Sequence, residues 1–241
     1  MNSILEEIIT TGNTRTVEGD LKKVVGQISE EEGKLIQDSI NEINAEVSVE
    51  VGLAFGTSAL YICEALKKTE KTKHYIIDPY QMYDESYGGI GVNNLKKAGY
   101  QNIFEFIEKP SHSALALLEM QNVKVDFAFI DGWHTFDHVL TDFFLVDKIL
   151  RVGGIVILDD TDWPAITKVA SFISINRSYK FLGGSSQRSY IKKNHSNSGN
   201  SIKKFKDFLN NKKPDNKNVF GAMAFKKTAD DIRSWDHYIN F

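Results

Sequence analysis

The 241-residue chain has a single cysteine, Cys63, so no disulfide can close within it, and a cysteine-based zinc site is argued against. Neither sign of charge dominates. Lys and Arg number 29 against 32 Asp and Glu, and the net charge of −3 gives no global field of the kind that draws nucleic acid or a membrane surface. No apolar run reaches membrane-spanning length, which sets a membrane partner aside. The first residues, MNSILEEIITTGNTR, carry Glu6 and Glu7 where a signal peptide needs a basic stretch and then an apolar one. A cytoplasmic protein is the simplest expectation. There is no internal repeat. What remains is ordinary globular composition, 41% hydrophobic and 25% charged, with length enough for one sizeable core.

Residues 1–45 read as helical, a candidate lid or contact between two copies of the chain. Ser29 followed by Glu32 fits a capping box that opens a helix through Leu35, Ile36, Ile40 and Ile43. From residue 46 the pattern alternates. Short apolar strands are expected at 47–52, 74–78, 102–108, 125–131 and 155–160. Helical spacing falls between them at 57–66, 92–99, 113–120 and 134–150. Strands alternating with helices imply parallel strands joined by right-handed crossovers, a doubly wound α/β sheet. Further on, 164–174 suits a helix, 179–184 a strand and 218–227 a last strand, the two strands forming an antiparallel hairpin at the sheet edge. The α/β domain thus runs over 46–228. It carries a Lys-, Asn- and Ser-rich insert at 191–218, with one short helix around Phe205 to Leu209, and an aromatic tail at 229–241 that can dock on the body.

An open parallel sheet binds ligands outside the carboxyl ends of its strands. The polar residues at those ends are Glu50, Asp78, Asp131, Asp159 and Asp160, all acidic. After the first of these strands the loop reads Glu50-Val51-Gly52-Leu53-Ala54-Phe55-Gly56-Thr57-Ser58. Its glycines let a ligand approach the backbone. The spacing is GxxxG rather than GxGxxG, and the carboxylate of Glu50 would repel a pyrophosphate. A ligand with an ammonium and a sulfonium, such as S-adenosylmethionine (SAM), would be favoured there. Asp78, at the next strand end, can accept from ribose hydroxyls. The plainer alternative for both is a solvated strand end.

Asp131, Asp159 and Asp160 end two strands expected to be neighbours, about 4.8 Å apart. Three converging carboxylates repel unless protons or a cation intervene, and hard divalent ions such as magnesium take oxygen ligands. The other reading makes Asp159 and Asp160 a solvated strand end or helix cap and Asp131 a cofactor contact. His134, three residues past Asp131, can face the same mouth and remove a proton near neutral pH, or simply pack near Trp133. His138, one turn on, shares its face and suits a structural role, while Asp137 and Asp142 read as surface or helix residues. The stretch 81–94, QMYDESYGGIGVNN, is either a mobile aromatic wall or an ordinary connection.

The combination of ExGxxxGxS, IIDPY, FIDGWHTFDHVLTD and GGIVILDD resembles the class I SAM-dependent methyltransferases, and within them the small-molecule O-methyltransferase branch of macrocin-type and catechol-type enzymes. The resemblance covers about residues 45–165. It implies a Rossmann-like, seven-stranded sheet, mostly parallel, with its last strand antiparallel. It places Glu50, Gly52, Gly56 and Ser58 at the methionine end of SAM, Asp78 at the ribose and Ser111 near the adenine, although Pro110 stands where an acidic residue is common. It adds a divalent metal at Asp131, Asp159 and Asp160, with Asp131 also beside SAM, and makes His134 the base for a hydroxyl on a small-molecule acceptor, a sugar or natural product. Three alternatives stay open. The insert's lysines could serve a nucleic-acid methyltransferase, but it has few aromatics, and Asp78-Pro79-Tyr80 follows the second strand rather than the fourth. A nicotinamide oxidoreductase is opposed by Glu50. A non-catalytic SAM-binding scaffold would need neither the acidic cluster nor His134.

Overall fold

The computed structural model describes residues 2–82, 87–186 and 220–241. Seven strands form one sheet: β3 (Val47–Val51), β4 (Lys73–Ile77), β5 (Phe104–Ile107), β6 (Val125–Ile130), β7 (Leu150–Leu158), β8 (Tyr179–Ser186) and β9 (Phe220–Lys227). Their order is β5-β4-β3-β6-β7-β9-β8. β9 is antiparallel to both of its neighbours, and every other pairing is parallel. The chain runs outward from β3 through β4 to β5, then returns to the other flank of β3 with β6. The order reverses between β3 and β6, and that crevice is where a doubly wound sheet holds its ligand.

Helices α3 (Thr57–Ala65), α4 (Ile90–Lys97), α5 (Ser111–Met120), α6 (Phe136–Ile149) and α7 (Pro164–Asn176) make the crossovers and cover both faces. Two apolar cores result. One gathers Leu60, Ile62, Phe127 and Phe129 with helix α1 (Ser3–Thr11) and helix α2 (Glu30–Ile43). The other gathers Ala128, Ile130, Phe143 and Val169. Alternate residues of β6 therefore face opposite cores, which is why its sequence reads as one unbroken apolar run. No helix among the described residues is long and apolar enough to cross a membrane.

The amino-terminal segment departs from the helical expectation. Gly12, at φ +67°, stops α1, and strands β1 (Asn13–Arg15) and β2 (Leu21–Lys23) pair antiparallel before α2 begins. Leu5, Ile8, Ile36 and Ile40 are fully buried, so this segment helps build the core. The capping box is present: Ser29 Oγ accepts from Glu32 N at 3.2 Å, and Glu32 Oε2 accepts from Ser29 N at 2.6 Å. Ser29→Ala is expected to lower stability by about 1 kcal/mol, read from the midpoint of urea unfolding. An unchanged midpoint would mean that packing alone fixes the start of α2.

β7 starts at Leu150, directly after α6, five residues earlier than its sequence suggests. The expected helix around Phe205 to Leu209, and the insert 191–218 with it, lie outside the described residues, as do 218–219 of the last strand. At the end of the sheet away from the strand carboxyl ends, Asp147 is buried and pairs with Arg177 while accepting from Tyr179 Oη at 2.5 Å. Lys227 Nζ donates to the carbonyls of Asp147 and Leu150 at 2.8 and 3.0 Å. These charges satisfy one another and leave the other end of the sheet to supply chemistry.

Candidate active site

β3 and β6 approach closely at their carboxyl ends. Asp131 N donates to Val51 O at 2.9 Å, and on the other flank of β3 Gly52 N donates to Ile77 O of β4 at 2.9 Å. Gly52 has φ +91°, and a Cβ there would lie 2.0 Å from the Asp131 carbonyl oxygen. Glycine is thus required twice over, by backbone conformation and by space. Ala54 also adopts a left-handed conformation, φ +46°, which a side chain tolerates only under tight local constraint. Asp78 supplies that constraint. Its Oδ2 accepts from Leu53 N at 3.1 Å and Ala54 N at 3.4 Å, and its Oδ1 accepts from Tyr80 N at 2.8 Å. Gly56 caps α3 at φ +84° against the backbone of Gly91 and does not line the cavity.

A cavity of about 980 Å³ opens above this loop. Of the residues singled out from sequence, Gly52, Ser58, Asp78, Ser111, Asp131, His134 and Asp160 line it, whereas Glu50, Gly56 and Asp159 do not. Glu50 is sealed beneath the floor. His74 Nε2 lies 3.2 Å from its Oε2, and Ser48 Oγ lies 2.8 Å from His74 Nδ1. All three residues are fully buried. Burial pushes the Glu50 carboxyl upward from its ordinary pKa, against the opposing pull of His74 and Ser58.

Across the mouth, Asp131, His134 and Asp160 each offer one ligand atom within 4.8 Å of the others. His134 Nε2 is 2.8 Å from Asp160 Oδ2 and 3.5 Å from Asp131 Oδ1. Asp131 first, and then Asp160, raise the imidazole pKa to about 9, while burial pulls the other way. At neutral pH the proton on His134 therefore neutralises part of the acidic cluster. Asp160 has φ +49°, an unfavourable backbone at the residue that completes the trio, as strained functional positions often show. Asp159 stands next to it, with its backbone N donating to Ile130 O at 3.1 Å and its side chain buried. His134 lies in the loop just before α6, and its ring is 5.2 Å from that of Trp163. Trp133 sits between Tyr80 and His138, with ring centroids at 6.4 and 6.2 Å, giving the mouth an aromatic rim. Residues 83–86 of the expected aromatic wall lie outside the described residues.

Two features stand out. Asp142, expected as a surface or helix residue, lies in α6 and is buried. It lies beside Ser111 at the start of α5, and burial raises its pKa against the hydrogen bond from Ser111. Residues 24–28, between β2 and α2, also line the cavity, although no motif marks them.

The reversed strand order, the glycine loop and the acidic strand ends make a Rossmann-like domain with its ligand crevice at the carboxyl ends of β3 and β6. The profile of a family described as a methyltransferase domain matches residues 49–161. Over 141 residues the chain is 34% identical to a probable caffeoyl-CoA O-methyltransferase of Arabidopsis thaliana, covering 54% of each chain. Over 136 residues it is 31% identical to a flavonoid 3′,5′-methyltransferase of Vitis vinifera, covering 55% of this chain and 54% of that one. The chain spans about half the length of these curated relatives. In three dimensions it superimposes on an O-methyltransferase from Bacillus cereus, solved with S-adenosylhomocysteine, with a TM-score of 0.65, covering 94% of this chain and 92% of that one at 16% identity. In sequence, over about half of its length, the chain thus resembles the small-molecule O-methyltransferase branch of the class I SAM-dependent methyltransferases, and it shares their fold.

Proposed function

We propose that the chain transfers a methyl group from SAM to a hydroxyl of a small molecule, with a divalent cation at the acidic cluster and His134 as the base. One observation carries the reading: the glycine loop and Asp78 share a single cavity with the Asp131, His134 and Asp160 cluster. The cofactor, when bound, supplies a methyl already activated by its sulfonium, so the protein's task is alignment. Asp78 is assigned to the ribose, because its buried carboxylate faces the cavity and can accept from hydroxyls. Ser111, at the other side of the cavity, is assigned to the adenine.

The donor set suits a hard cation: Asp131 and Asp160 present carboxylate oxygens close together, with Asp159 next in chain as a third candidate. A cation there would lower the pKa of the acceptor hydroxyl and fix its orientation. His134 takes the hydroxyl proton at Nε2. It can do so only when the charge of Asp131 and Asp160 is offset, since those carboxylates hold its own proton at neutral pH. Tyr80, Trp133 and Trp163 at the mouth suit a ring that stacks, in a sugar or in a phenolic compound. The caffeoyl-CoA and flavonoid enzymes among the relatives support a hydroxyl-bearing small molecule.

Calorimetry is expected to show S-adenosylhomocysteine binding and no NAD binding; the reverse would overturn the reading. Methyl transfer to a panel of hydroxyl acceptors is expected to fall on exhaustive chelation and return with magnesium. Full activity after chelation would leave Asp131 and Asp160 as cofactor or acceptor contacts.

A further inference from the structure

Asp78 takes two N–H groups of the glycine loop, and two side-chain amides take its carbonyls. Gln81 Nε2 donates to Ala54 O at 2.8 Å, and Asn94 Nδ2 donates to Phe55 O at 3.0 Å. Gln81 is fully buried and Asn94 is 2% exposed, so water cannot readily replace either amide. Leu53, Ala54 and Phe55 line the cavity, whereas Gln81 and Asn94 do not.

Each amide fits in one orientation only. A backbone carbonyl cannot donate, so the nitrogen of each amide must face the loop. The oxygens are then occupied on the other side. Gln81 Oε1 accepts from Gly91 N at 3.0 Å, and Asn94 Oδ1 accepts from Thr14 Oγ1 at 3.1 Å. Thr14 belongs to β1, so the amino-terminal hairpin reaches the glycine loop through Asn94. Gln81 is also fixed at its backbone, where its carbonyl accepts from Gly89 N at 2.9 Å. Gly91 packs so tightly that a Cβ there would lie 2.6 Å from Ala54 O. Ala54 needs such support, because its left-handed backbone, φ +46°, is one that alanine leaves when released. A relaxed loop lowers ligand affinity by the fraction of molecules that are out of shape.

We propose that Gln81 and Asn94 are positioning residues for the cofactor: their amides hold the Ala54 and Phe55 carbonyls and keep the glycine loop in its binding shape before the ligand arrives. They act through the loop rather than by touching the ligand. The proposal rests on the SAM reading above, and it gives the segment after β4 and the hairpin of β1 and β2 a part in cofactor affinity.

Calorimetry with S-adenosylhomocysteine on the full chain tests it. Gln81→Met and Asn94→Leu, close in size to the residues they replace, are each expected to weaken binding roughly tenfold. Gln81→Glu and Asn94→Asp are the second pair, should the apolar variants fail to fold. As carboxylates they keep the acceptor for Gly91 N or Thr14 Oγ1 and lose only the donor to the loop, and the same weakening is expected. In methyl transfer the loss is expected in KM for SAM, with kcat at saturating SAM within about twofold, because bound cofactor restores the loop. The control is Asn176→Ala. Asn176 ends α7 and hydrogen-bonds the backbone N and O of Ile239. Its loss is expected to lower the urea midpoint and leave S-adenosylhomocysteine affinity within about twofold. Unchanged affinity in the loop variants, an equal loss in the control, or a loss in kcat with KM unchanged overturns the proposal and leaves the SAM reading standing. Failure of the unaltered chain to bind S-adenosylhomocysteine overturns both.

Discussion

Gly52→Ala is expected to destabilise the protein by roughly 2–5 kcal/mol and to remove cofactor binding from whatever fraction stays folded. The penalty has two parts. Left-handed backbone costs a non-glycine residue about 1–2 kcal/mol. The remainder is overpacking, because the new Cβ would meet the Asp131 carbonyl oxygen at 2.0 Å, and that oxygen belongs to backbone that cannot rotate away. Relief requires β3 and β6 to separate, which moves Asp131 relative to the loop and spoils both halves of the site together. Gly99→Ala is the control. Gly99 also has a left-handed backbone, φ +85°, but a Cβ there meets nothing within 4 Å. Urea unfolding of the two variants should differ by the clash alone. If Gly52→Ala is no worse than Gly99→Ala, the approach of the two strands is compliant and the site is not held in the way described.

That pair of glycines shows what a sequence can and cannot reveal. The loop after β3 was legible because strand, GxxxG and helix follow one another within a short stretch. The reason Gly52 must be glycine was not, since its neighbour Asp131 is far away in the chain. The five parallel strands were legible from short apolar runs, and the acidic residues at their ends followed from alternation with helices. The hairpin of β1 and β2 was not. Each of its strands has three residues, too few for period-two alternation to stand out from the helical spacing around it. Nor were residues 24–28, which line the cavity but belong to no motif.

Glu50 and Asp159 mark a subtler limit. Sequence places a residue at the end of a strand, but the pleat decides which side its carboxylate takes. Glu50 turns down into the sheet toward His74, and Asp159 is buried while its neighbour Asp160 lines the mouth. Asp160 reaches that mouth by leaving the regular strand conformation, at φ +49°. Its membership of the cluster is thus a property of a strained turn rather than of the strand. The burial of Asp142 within α6 was not legible for a related reason. Helical spacing shows which face a residue occupies, while the packing of α5 against α6 decides that this face is closed over.

His134→Ala is expected to slow methyl transfer by roughly two to four powers of ten while leaving cofactor affinity nearly intact. The separation follows from position. His134 lies with Asp131, Asp160 and Trp163 at the mouth, whereas the glycine loop and Asp78 form the cavity below. The acceptor's chemistry sharpens the expectation. An acidic phenol, already largely ionised, needs little help to lose its proton and should tolerate the substitution. An alkyl alcohol has no such reserve and should show the full loss. The residue also balances charge, since its proton lies between two carboxylates. Removing it leaves Asp131 and Asp160 facing each other without that cation, and this should increase the dependence on a divalent ion in the site. Two effects therefore have to be kept apart, and single-turnover rates at saturating magnesium do so. Under those conditions the charge is supplied by the ion, and only the proton transfer is missing. Equal rates for the variant and the unaltered chain, with an alkyl alcohol and across pH, would make His134 a counter-charge and place the base elsewhere.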